Sequence, residues 1–487
     1  MVFDMEERLK KLDYLFHPRS IAFIGATEMI AKWGFIIFNN ILSGGYEGKL
    51  FPVNPGRKSI LGVKAYPSVR DIPDEVDIAV FTVPARQVIG TVGDCVAKGV
   101  KAGVVISAGF KELGGEYEGM ETDLMAKARA GGMLLVGPNC QGICCPSSKL
   151  FAWMPNFYPP TGKVGVISQS GNIQGMLIGA VVEPGFGISK GVSSGNEADL
   201  KMEDFYAYYA QDNDVEVIAS YVEGLNDGRR FFEYARDAAK RKPVIVLKGG
   251  QTDSGVSAAK SHTGAMAVSN RIFDAACRQA GVMLADSIEE AGVIAASFLN
   301  RPIPRGKRVG ILTGGGGLGV VAADVCAKEG LEVVKLSAET LEKIGKLMPD
   351  WWVPGNPVDM VAGLNFASIT PVMEILMRSG EIDSLIVLFI GPPQLDRARQ
   401  PASAKGLDMR KIWETMTKEF GNYSVRLFEL MRELKVPLYL VSNFQKEIGL
   451  SDIAPGDDNM VIYNTIESAC RAAAAIAKYG ERRHYRN

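Results

Sequence analysis

Histidine is scarce in this sequence, and the usual signature of a structural metal site is missing. Only 3 of the 487 residues are histidine, and the 7 cysteines include no repeated Cys-x-x-Cys pair. Cys140, Cys144 and Cys145 cluster, but their spacing fits no common zinc pattern. We therefore expect no metal site, and we expect the cysteines to be buried reduced thiols.

An excess of one charge is also absent, since the formal net charge is -1. A strongly basic chain would indicate a nucleic acid or an acidic membrane as partner, and this balance indicates neither. No apolar run reaches the roughly 18 residues that a membrane helix needs, and the amphipathic N-terminus lacks the apolar core of a signal peptide. We expect a cytoplasmic protein with neither nucleic acid nor membrane as a partner.

Glycine, in contrast, is abundant, with 54 residues. Short apolar strands alternate with helical segments along the chain, and most strands end in glycine, proline or a small polar residue, as in "DIAVFTVP" and "RVGILTGG". This pattern is typical of parallel, doubly wound sheets. Two proline-containing joints, "MPNFYPPTGK" and "RPIPRGKR", divide the chain into three predicted α/β domains, at 1–155, 156–303 and 304–487.

The first domain is predicted to bind a nucleotide other than NAD. In "SIAFIGATEMIAKWGF" a strand runs into a turn at Gly25 and then a helix entered near Gly34, where free backbone N–H groups could hold a pyrophosphate. The G-x-G-x-x-G fingerprint is missing, and Asn54 and Pro55 stand where a NAD site needs an acid. A different adenine nucleotide fits better; the alternative is that these are only tight turns.

Three strand-to-helix turns in the remaining domains are candidate anion sites, because serine hydroxyls and free N–H groups at a helix start bind anions. They lie in "VISQSGNIQG", "GVSSGNEADL" and "LTGGGGLGVV". The candidate phosphate-binding residues are Ser168, Ser170, Gly171, Ser194, Gly195, Asn196, Gly315, Gly316 and Gly317. Each turn could instead be only a tight turn. A Gly-x4-Gly-Lys-Ser/Thr loop is absent, so no ATP site of the P-loop kind is expected.

His262 lies in "AKSHTGAMAVSN", among small residues that would leave an imidazole ring accessible. A lone histidine is more often a half-buried structural side chain, which is the alternative. A neutral imidazole is nucleophilic near pH 7 but needs a group that orients it. Glu223, in "SYVEGLND" at the end of a strand of the same predicted sheet, is the candidate for that role.

Together, in this order, these motifs resemble the α chain of nucleoside-diphosphate-forming acyl-CoA synthetases, relatives of succinyl-CoA synthetase. "IAFIGAT", "PVNP", "VPA" and "GPNCQG" resemble the CoA-binding domain of that family; "SQSGN", "GNEADL", "YVEG" and "KSHTGA" resemble its phosphohistidine domain; "GILTGGGGLGVVAAD" and "NPVDM" resemble its ligase domain. The resemblance implies a Rossmann-like CoA-binding domain followed by two flavodoxin-like domains.

The resemblance also implies a reaction and a set of sites. Phosphate attacks the acyl-CoA thioester, His262 takes the phosphoryl group from the acyl phosphate, and the phosphohistidine passes it to ADP or GDP, with Glu223 paired to the histidine. The helix starts at Ser170–Gly171 and Gly315–Gly317 point at the phosphoryl group. The implied CoA-binding residues are Gly25, Ala26, Thr27, Lys32, Gly34, Val53, Asn54, Pro55, Val83, Pro84, Ser107, Ala108, Gly109, Pro138 and Asn139.

A second chain is expected to complete the reaction. The three predicted domains use the chain from about residue 10 to 480 on the size prior for domains. The ATP-grasp domain that binds ADP, ATP and Mg²⁺ in the family is therefore expected on a separate β subunit, in a hetero-oligomer. Asn172-Ile173 and Thr313-Gly314 depart from the family pattern near the acyl pocket, so the acid that is used stays open. The alternatives are a non-catalytic CoA-binding regulatory module and a Rossmann dehydrogenase.

Overall fold

The computed structural model describes residues 2–115, 117–252, 254–255, 270–360, 366–389, 426, 428–442 and 460–484. The described helices include α1 (Val2–Phe16), α2 (Trp33–Ser43), α3 (Ala85–Lys98), α4 (Tyr117–Ala130), α5 (Gly171–Val182), α6 (Met202–Gln211), α7 (Gly228–Arg241), α8 (Asn270–Ala280), α9 (Ile288–Ser297), α10 (Gly316–Lys328), α11 (Ala338–Gly345), α12 (Phe366–Arg378) and α13 (Ile466–His484). The described strands include β1 (Ser20–Ile24), β2 (Lys49–Val53), β3 (Ser59–Ile60), β4 (Val63–Lys64), β5 (Ile78–Phe81), β6 (Ala102–Val105), β7 (Leu134–Val136), β8 (Gly142–Cys145), β9 (Leu150–Trp153), β10 (Thr161–Ser168), β11 (Ile188–Ser193), β12 (Val217–Val222), β13 (Val244–Lys248), β14 (Met283–Ala285), β15 (Arg308–Thr313), β16 (Glu332–Val333), β17 (Val358–Asp359), β18 (Ser384–Phe389), β19 (Leu438–Ser442) and β20 (Ile462–Tyr463).

The first sheet has five parallel strands in the order β2-β1-β5-β6-β7. Its central strands are buried throughout, which explains their continuous apolar runs, because helices cover both faces of a parallel sheet. The chain leaves β1 toward β2 on one side and returns to β5 on the other. The connections that follow β1 and β5 therefore run in opposite directions, and the crevice between them at the carboxyl ends of the strands is the usual ligand position in such a sheet.

The second sheet has seven strands in the order β14-β13-β12-β10-β11-β8-β9. The strands from β10 to β14 are parallel, and β8 and β9 form an antiparallel hairpin against β11. The hairpin precedes the proline-rich joint in sequence, so a segment that follows the first sheet's last strand completes the second sheet. The predicted boundaries at 155 and 303 stay predictions.

Two compact units divide the chain, Met1–Ala295 and Ala296–Asn487. The first unit holds the first two sheets, and the second unit holds a third sheet in the order β16-β15-β18-β19-β20, with β17 beside β15. The predicted fold class, α/β with mainly parallel sheets, is confirmed. The predicted strands in "DIAVFTVP" and "RVGILTGG" are β5 and β15, whereas β3, β4, β8, β9, β14, β17 and β20 were not predicted.

The seven cysteines are all buried and free, as predicted from their pattern. Burial raises the pKa of Cys140 to about 12, so this thiol stays protonated near neutral pH. Among the described helices, none is both long enough and apolar enough to cross a bilayer. The described residues also contain no group of histidine, cysteine or acidic side chains arranged to hold a metal ion.

Candidate functional site

A cleft of about 1030 Å³ lies in the first unit, at the carboxyl ends of strands from both of its sheets. Strands β6 and β7 contribute their following turns from one side, and β10, β11 and β12 contribute theirs from the other. The residues predicted from the sequence that line this cleft are Ser107, Ala108, Asn139, Ser170, Gly171, Gly195, Asn196 and Glu223. Two candidate phosphate turns and the candidate orienting acid thus share one wall.

Other predicted residues lie elsewhere. Ser168 and Ser194 are fully buried, and their hydroxyls bond within the turns, Ser168 Oγ to the Ser170 carbonyl at 2.5 Å and Ser194 Oγ to a Glu197 carboxylate oxygen at 2.8 Å. They shape the turns and do not line the cleft. His262 lies outside the described residues.

Helix α5 begins at Gly171 with its first turn at the cleft. Ser170 is its N-cap residue and makes no side-chain capping bond within the described part of the chain. The first N–H groups of a helix have no partner inside the helix, and they carry the positive end of its dipole. This turn therefore presents backbone donors suited to an anion.

The predicted CoA-binding residues that do not line the cleft lie at the strand ends and at the start of α2. Val53 is the last residue of β2, Lys32 and Gly34 lie at the start of α2, and the others follow strands, namely Gly25, Ala26 and Thr27 after β1, Asn54 and Pro55 after β2, Val83 and Pro84 after β5, Gly109 after β6 and Pro138 after β7. Gly34, in the first turn of α2, packs directly on the turn after β1, because a Cβ at Gly34 would lie 2.2 Å from the Gly25 carbonyl oxygen. Trp33, beside Gly34, lines the cleft. The crevice at β1 and β5 and the cleft are therefore neighbouring surfaces of one unit.

Asn54 has a structural task at this crevice. Its amide donates to the Ala26 carbonyl at 2.9 Å, and its side-chain oxygen accepts from the Gly56 N–H at 2.9 Å. The first bond ties the turn after β2 to the turn after β1, and the second stabilises the turn after β2 itself. Asn54 occupies the position at which a NAD site needs an acid, and its side chain stabilises the backbone of the crevice.

Gln169 was not predicted as a site residue, although it occupies the centre of the "SQSG" turn. Its side-chain oxygen Oε1 accepts from the backbone N–H groups of Glu223, at 2.7 Å, and Gly224, at 3.1 Å. Its amide group donates to the Gly224 carbonyl at 2.9 Å and to the Glu197 carboxylate at 3.1 Å. One side chain therefore fixes the backbone of the candidate acid relative to both phosphate turns.

Asn196 is held from the first sheet's side of the cleft. Its amide donates to Glu112 at 2.5 Å and to Glu121 at 3.1 Å, and its carbonyl oxygens accept from Lys111 at 2.7 Å and Asn139 at 3.3 Å. Burial opposes ionisation of Glu112, but bonds from Asn196 and from backbone N–H groups hold its pKa below the ordinary value. Glu112, Glu121 and Lys111 were missed because they lie far away in sequence.

Two buried carboxyl groups lie behind the Gly195–Asn196 turn. Burial raises the pKa of Glu197, and burial together with the charge of Glu197 raises the pKa of Glu203 to about 7. Glu197 also adopts a left-handed backbone with φ of 55°, which is uncommon for a residue with a side chain. Its carboxylate accepts from Ser194, Gln169 and the Met202 N–H. This carboxyl group organises the turn from beneath.

The third glycine-rich turn belongs to the second unit, where Gly315 caps α10 and bonds in both directions with Thr313. A Cβ added at Gly314, Gly315 or Gly317 would meet no described atom within 4 Å, and their φ values are not positive. Neither packing nor backbone conformation among the described residues explains these three glycines.

Gly195→Ala should destabilise the first unit. Gly195 has φ of 58°, and a Cβ there would lie 2.3 Å from the Pro138 carbonyl oxygen. The left-handed conformation and the clash with backbone together should cost about 2–4 kcal/mol of unfolding free energy. Gly179→Ala, in the middle of α5 with nothing within 4 Å, is the matched control and should stabilise by about 0.5–1 kcal/mol. Denaturant unfolding of both variants measures the difference; equal stabilities would contradict this account.

Three segments of the chain match domains of known protein families. Residues 19–146 match the CoA binding domain, 161–298 the succinyl-CoA ligase like flavodoxin domain, and 309–394 the ligase-CoA domain. The acetate–CoA ligase [ADP-forming] I subunit alpha of Pyrococcus furiosus is 39% identical over 474 residues, which cover 96% of this chain and 98% of that one. The chain belongs to the ADP-forming acyl-CoA synthetase family.

Two further similar proteins support this family assignment. The acetate–CoA ligase [ADP-forming] II subunit alpha of the same organism is 41% identical over 382 residues, covering 78% of this chain and 83% of that one. The acetyl-coenzyme A synthetase 1 of Ca. Korarchaeum cryptofilum, solved with phosphate and ADP, matches with a TM-score of 0.84 at 33% identity, over 97% of this chain and 98% of that one. These matches support a catalytic member of the family over a regulatory module, and CoA over NAD.

Proposed function

We propose that this chain is the catalytic α subunit of an ADP-forming acyl-CoA synthetase. The enzyme interconverts acyl-CoA, ADP and phosphate with a carboxylic acid, CoA and ATP. The observation that carries the proposal is the shared cleft wall, where the start of α5, the Gly195–Asn196 turn and Glu223 meet beside the residues of a CoA-binding domain. A regulatory CoA module has no need of an anion-binding turn next to an orienting carboxylate.

The first step makes an acyl phosphate. A phosphate oxygen attacks the thioester carbonyl, the C–S bond breaks, and CoA leaves as a thiolate that takes up the proton released by phosphate. The N–H groups at the start of α5 hold the phosphate oxygens and stabilise the charge that develops during attack. Asn196 donates to Glu112 and Glu121, and these bonds hold the Gly195–Asn196 turn in place against the first sheet's side of the cleft.

The second step moves the phosphoryl group to His262. One ring nitrogen attacks phosphorus, the P–O bond to the acyl oxygen breaks, and the carboxylate product leaves with the electron pair. Glu223 accepts the N–H of the other ring nitrogen and balances the positive charge of the phosphorylated ring. Phosphoryl transfer depends mainly on positioning and charge stabilisation, which Gln169 serves by fixing the backbone of Glu223.

The third step transfers the phosphoryl group from His262 to ADP. We assign ADP, ATP and Mg²⁺ to an ATP-grasp β subunit, because both Pyrococcus furiosus relatives are named as alpha subunits. Gly315–Gly317 of the second unit are assigned to phosphoryl contacts during the cycle, since neither packing nor φ among the described residues explains Gly315 or Gly317.

The test is labelling of the purified chain with ³²P-phosphate in the presence of acetyl-, isobutyryl-, phenylacetyl- or 4-hydroxybutyryl-CoA. At least one thioester should yield a protein label that is stable in base and lost in acid, together with release of free CoA. The panel also distinguishes short, branched, aromatic and hydroxylated acids. CoA binding without a label from any thioester would indicate the regulatory module, and binding of NADH in preference to CoA would indicate the dehydrogenase.

A further inference from the structure

Two cysteines of the second unit are in contact although they lie 144 residues apart along the chain. Cys326 belongs to α10 and Cys470 belongs to α13, and the sequence from Ala296 to Asn487 contains no other cysteine. The Cys326 thiol donates to the Cys470 sulfur at 3.6 Å. The fold of this unit thus brings both of its cysteines together at one place.

Small side chains bring the two helices close to each other around these thiols. Ala322 of α10 and Ala469 of α13 are fully buried, and the Cys470 sulfur lies 3.9 Å from the Ala322 carbonyl oxygen. The distance between packed helices depends on the side chains at their contact, and these are among the smallest. An ion pair between Arg471 and Glu329, at 3.4 Å, joins α13 to the end of α10. Packing and charge therefore hold the helices in the alignment that places the two sulfurs side by side.

The contact needs only a small movement to become a covalent bond. From their separation of 3.6 Å the two sulfurs must approach by about 1.5 Å to reach the length of a disulfide bond. Sulfur is the only heavy atom beyond Cβ in cysteine, so rotations about the two Cα–Cβ bonds move the sulfurs without displacing the helices. The two thiols are therefore placed to form a disulfide in the folded chain.

The cysteines of the first unit have different surroundings. Cys144 and Cys145 are successive residues of β8, so their side chains point to opposite faces of the sheet. The Cys140 thiol donates to the Val105 carbonyl at 3.3 Å, and the Cys145 sulfur lies 3.3 Å from the Ser147 hydroxyl. Neighbouring positions in the sequence do not pair these thiols, and they serve as internal controls.

We propose that Cys326 and Cys470 are a redox-active pair, which hydrogen peroxide or another small peroxide closes into a disulfide. One thiolate attacks a peroxide oxygen, the O–O bond breaks, and the hydroxide that leaves takes up the thiol proton, which gives a sulfenic acid and water. The second sulfur attacks the sulfenic sulfur, the S–O bond breaks, and the second thiol proton leaves with the hydroxide as water. The two thiols lose two electrons, and these reduce the peroxide.

The disulfide should stabilise the second unit. It would join α10 to α13 across the 144 residues that separate the cysteines, and a cross-link that closes a long loop restricts the unfolded chain more than a short one. This effect is independent of the reaction proposed for the cleft of the first unit.

Closure of the pair should be slow. Both thiols are fully buried, and the hydrogen bond with Cys326, followed by burial, raises the pKa of the Cys470 thiol. Thiolate is the form that attacks peroxide, so little of the reactive form is present near neutral pH. The pair is therefore suited to sustained exposure to peroxide, and an exposed thiol should react sooner.

The experiment treats the folded full-length chain with hydrogen peroxide at mildly alkaline pH, where more thiolate is present. Catalase then removes the peroxide, and the remaining thiols are alkylated in denaturant before peptide mapping by mass spectrometry. The wild type should lose two of its seven thiols and yield a cross-linked peptide that joins Cys326 to Cys470. Scanning calorimetry should show a transition raised by roughly 5–15 °C, and dithiothreitol should reverse both changes.

Alanine variants identify the partners. Cys326→Ala and Cys470→Ala each remove one sulfur of the pair and should abolish the cross-link and the temperature shift. Cys277→Ala removes a buried cysteine of α8 in the first unit and should retain both, which makes it the matched control. The peptide map of the wild type decides the proposal even if an alanine variant folds poorly.

Two results would count against the proposal. Recovery of all seven thiols, oxygen added to either cysteine without a cross-link, or a cross-link between other cysteines would overturn the pair, provided that free glutathione is fully oxidised in a parallel sample. A cross-link between Cys326 and Cys470 that leaves the melting temperature unchanged would overturn its stabilising role.

Discussion

Replacing His262 with alanine should abolish the acid-labile phosphoryl label that the wild-type chain takes from acyl-CoA and phosphate. Alanine offers no nucleophile, and the loss of a nucleophile that forms a covalent intermediate costs at least about 1000-fold in rate. Release of CoA should continue for about one turnover, because formation of the acyl phosphate needs the anion-binding turns and not the histidine. Hydroxylamine trapping of the acyl phosphate measures the first step, and retained ³²P on the protein measures the second.

The other histidines supply the control. His484→Ala leaves His262 in place and should retain the full label. Glu223→Gln should give an intermediate result, with the label formed more slowly, because the ring loses the group that selects its tautomer and balances its charge. A label that persists in His262→Ala would assign the phosphoryl group to another residue. Loss of both the label and CoA release would show that the first step also requires His262.

Most strands were predictable from the sequence, because parallel strands that are buried on both faces consist of short apolar runs that end in small residues. The runs "SIAFI" and "VIASYV" are buried along nearly their whole length, and each ends at a turn that carries site residues. Because carboxyl ends of parallel strands meet at one edge, a list of strand ends approximates a list of site residues. This is how Ser170, Asn196 and Glu223 could be grouped before any coordinates.

The supporting residues were not predictable in the same way. Asn196 is bonded to Glu112 and Glu121, which lie 84 and 75 residues away along the chain, and no local pattern joins them. The hairpin of β8 and β9 precedes the predicted joint at residue 155 but pairs with β11 of the second sheet. This pairing depends on tertiary packing, which the local sequence does not reveal. Ser168 and Ser194 show a further limit, because a hydroxyl in a turn can bond inward or face a ligand, and the sequence does not distinguish the two.

The chain alone should form the phosphorylated protein but no ATP. Transfer to ADP requires that the nucleotide phosphates be held and neutralised next to the phosphohistidine, usually with Mg²⁺. The sequence contains no P-loop, and in the proposed function these groups belong to an ATP-grasp β subunit. With acyl-CoA, phosphate, ADP and Mg²⁺, the isolated chain should therefore stop at one phosphoryl group per His262, with ATP at the level of the His262→Ala blank.

Addition of the β subunit to the labelled chain should then release the label as ATP. The half-reactions can be separated by removing free ³²P-phosphate and acyl-CoA before ADP and the β subunit are added, so that any labelled ATP must come from the protein. The Glu223→Gln chain, labelled more slowly, is a control for the amount of phosphohistidine present. ATP formed by the isolated wild-type chain would contradict the assignment of nucleotide to a second subunit. A label that stays on the chain in the presence of both ADP and the β subunit would contradict the transfer itself, because a phosphoryl group on the reaction pathway must leave when its acceptor is supplied.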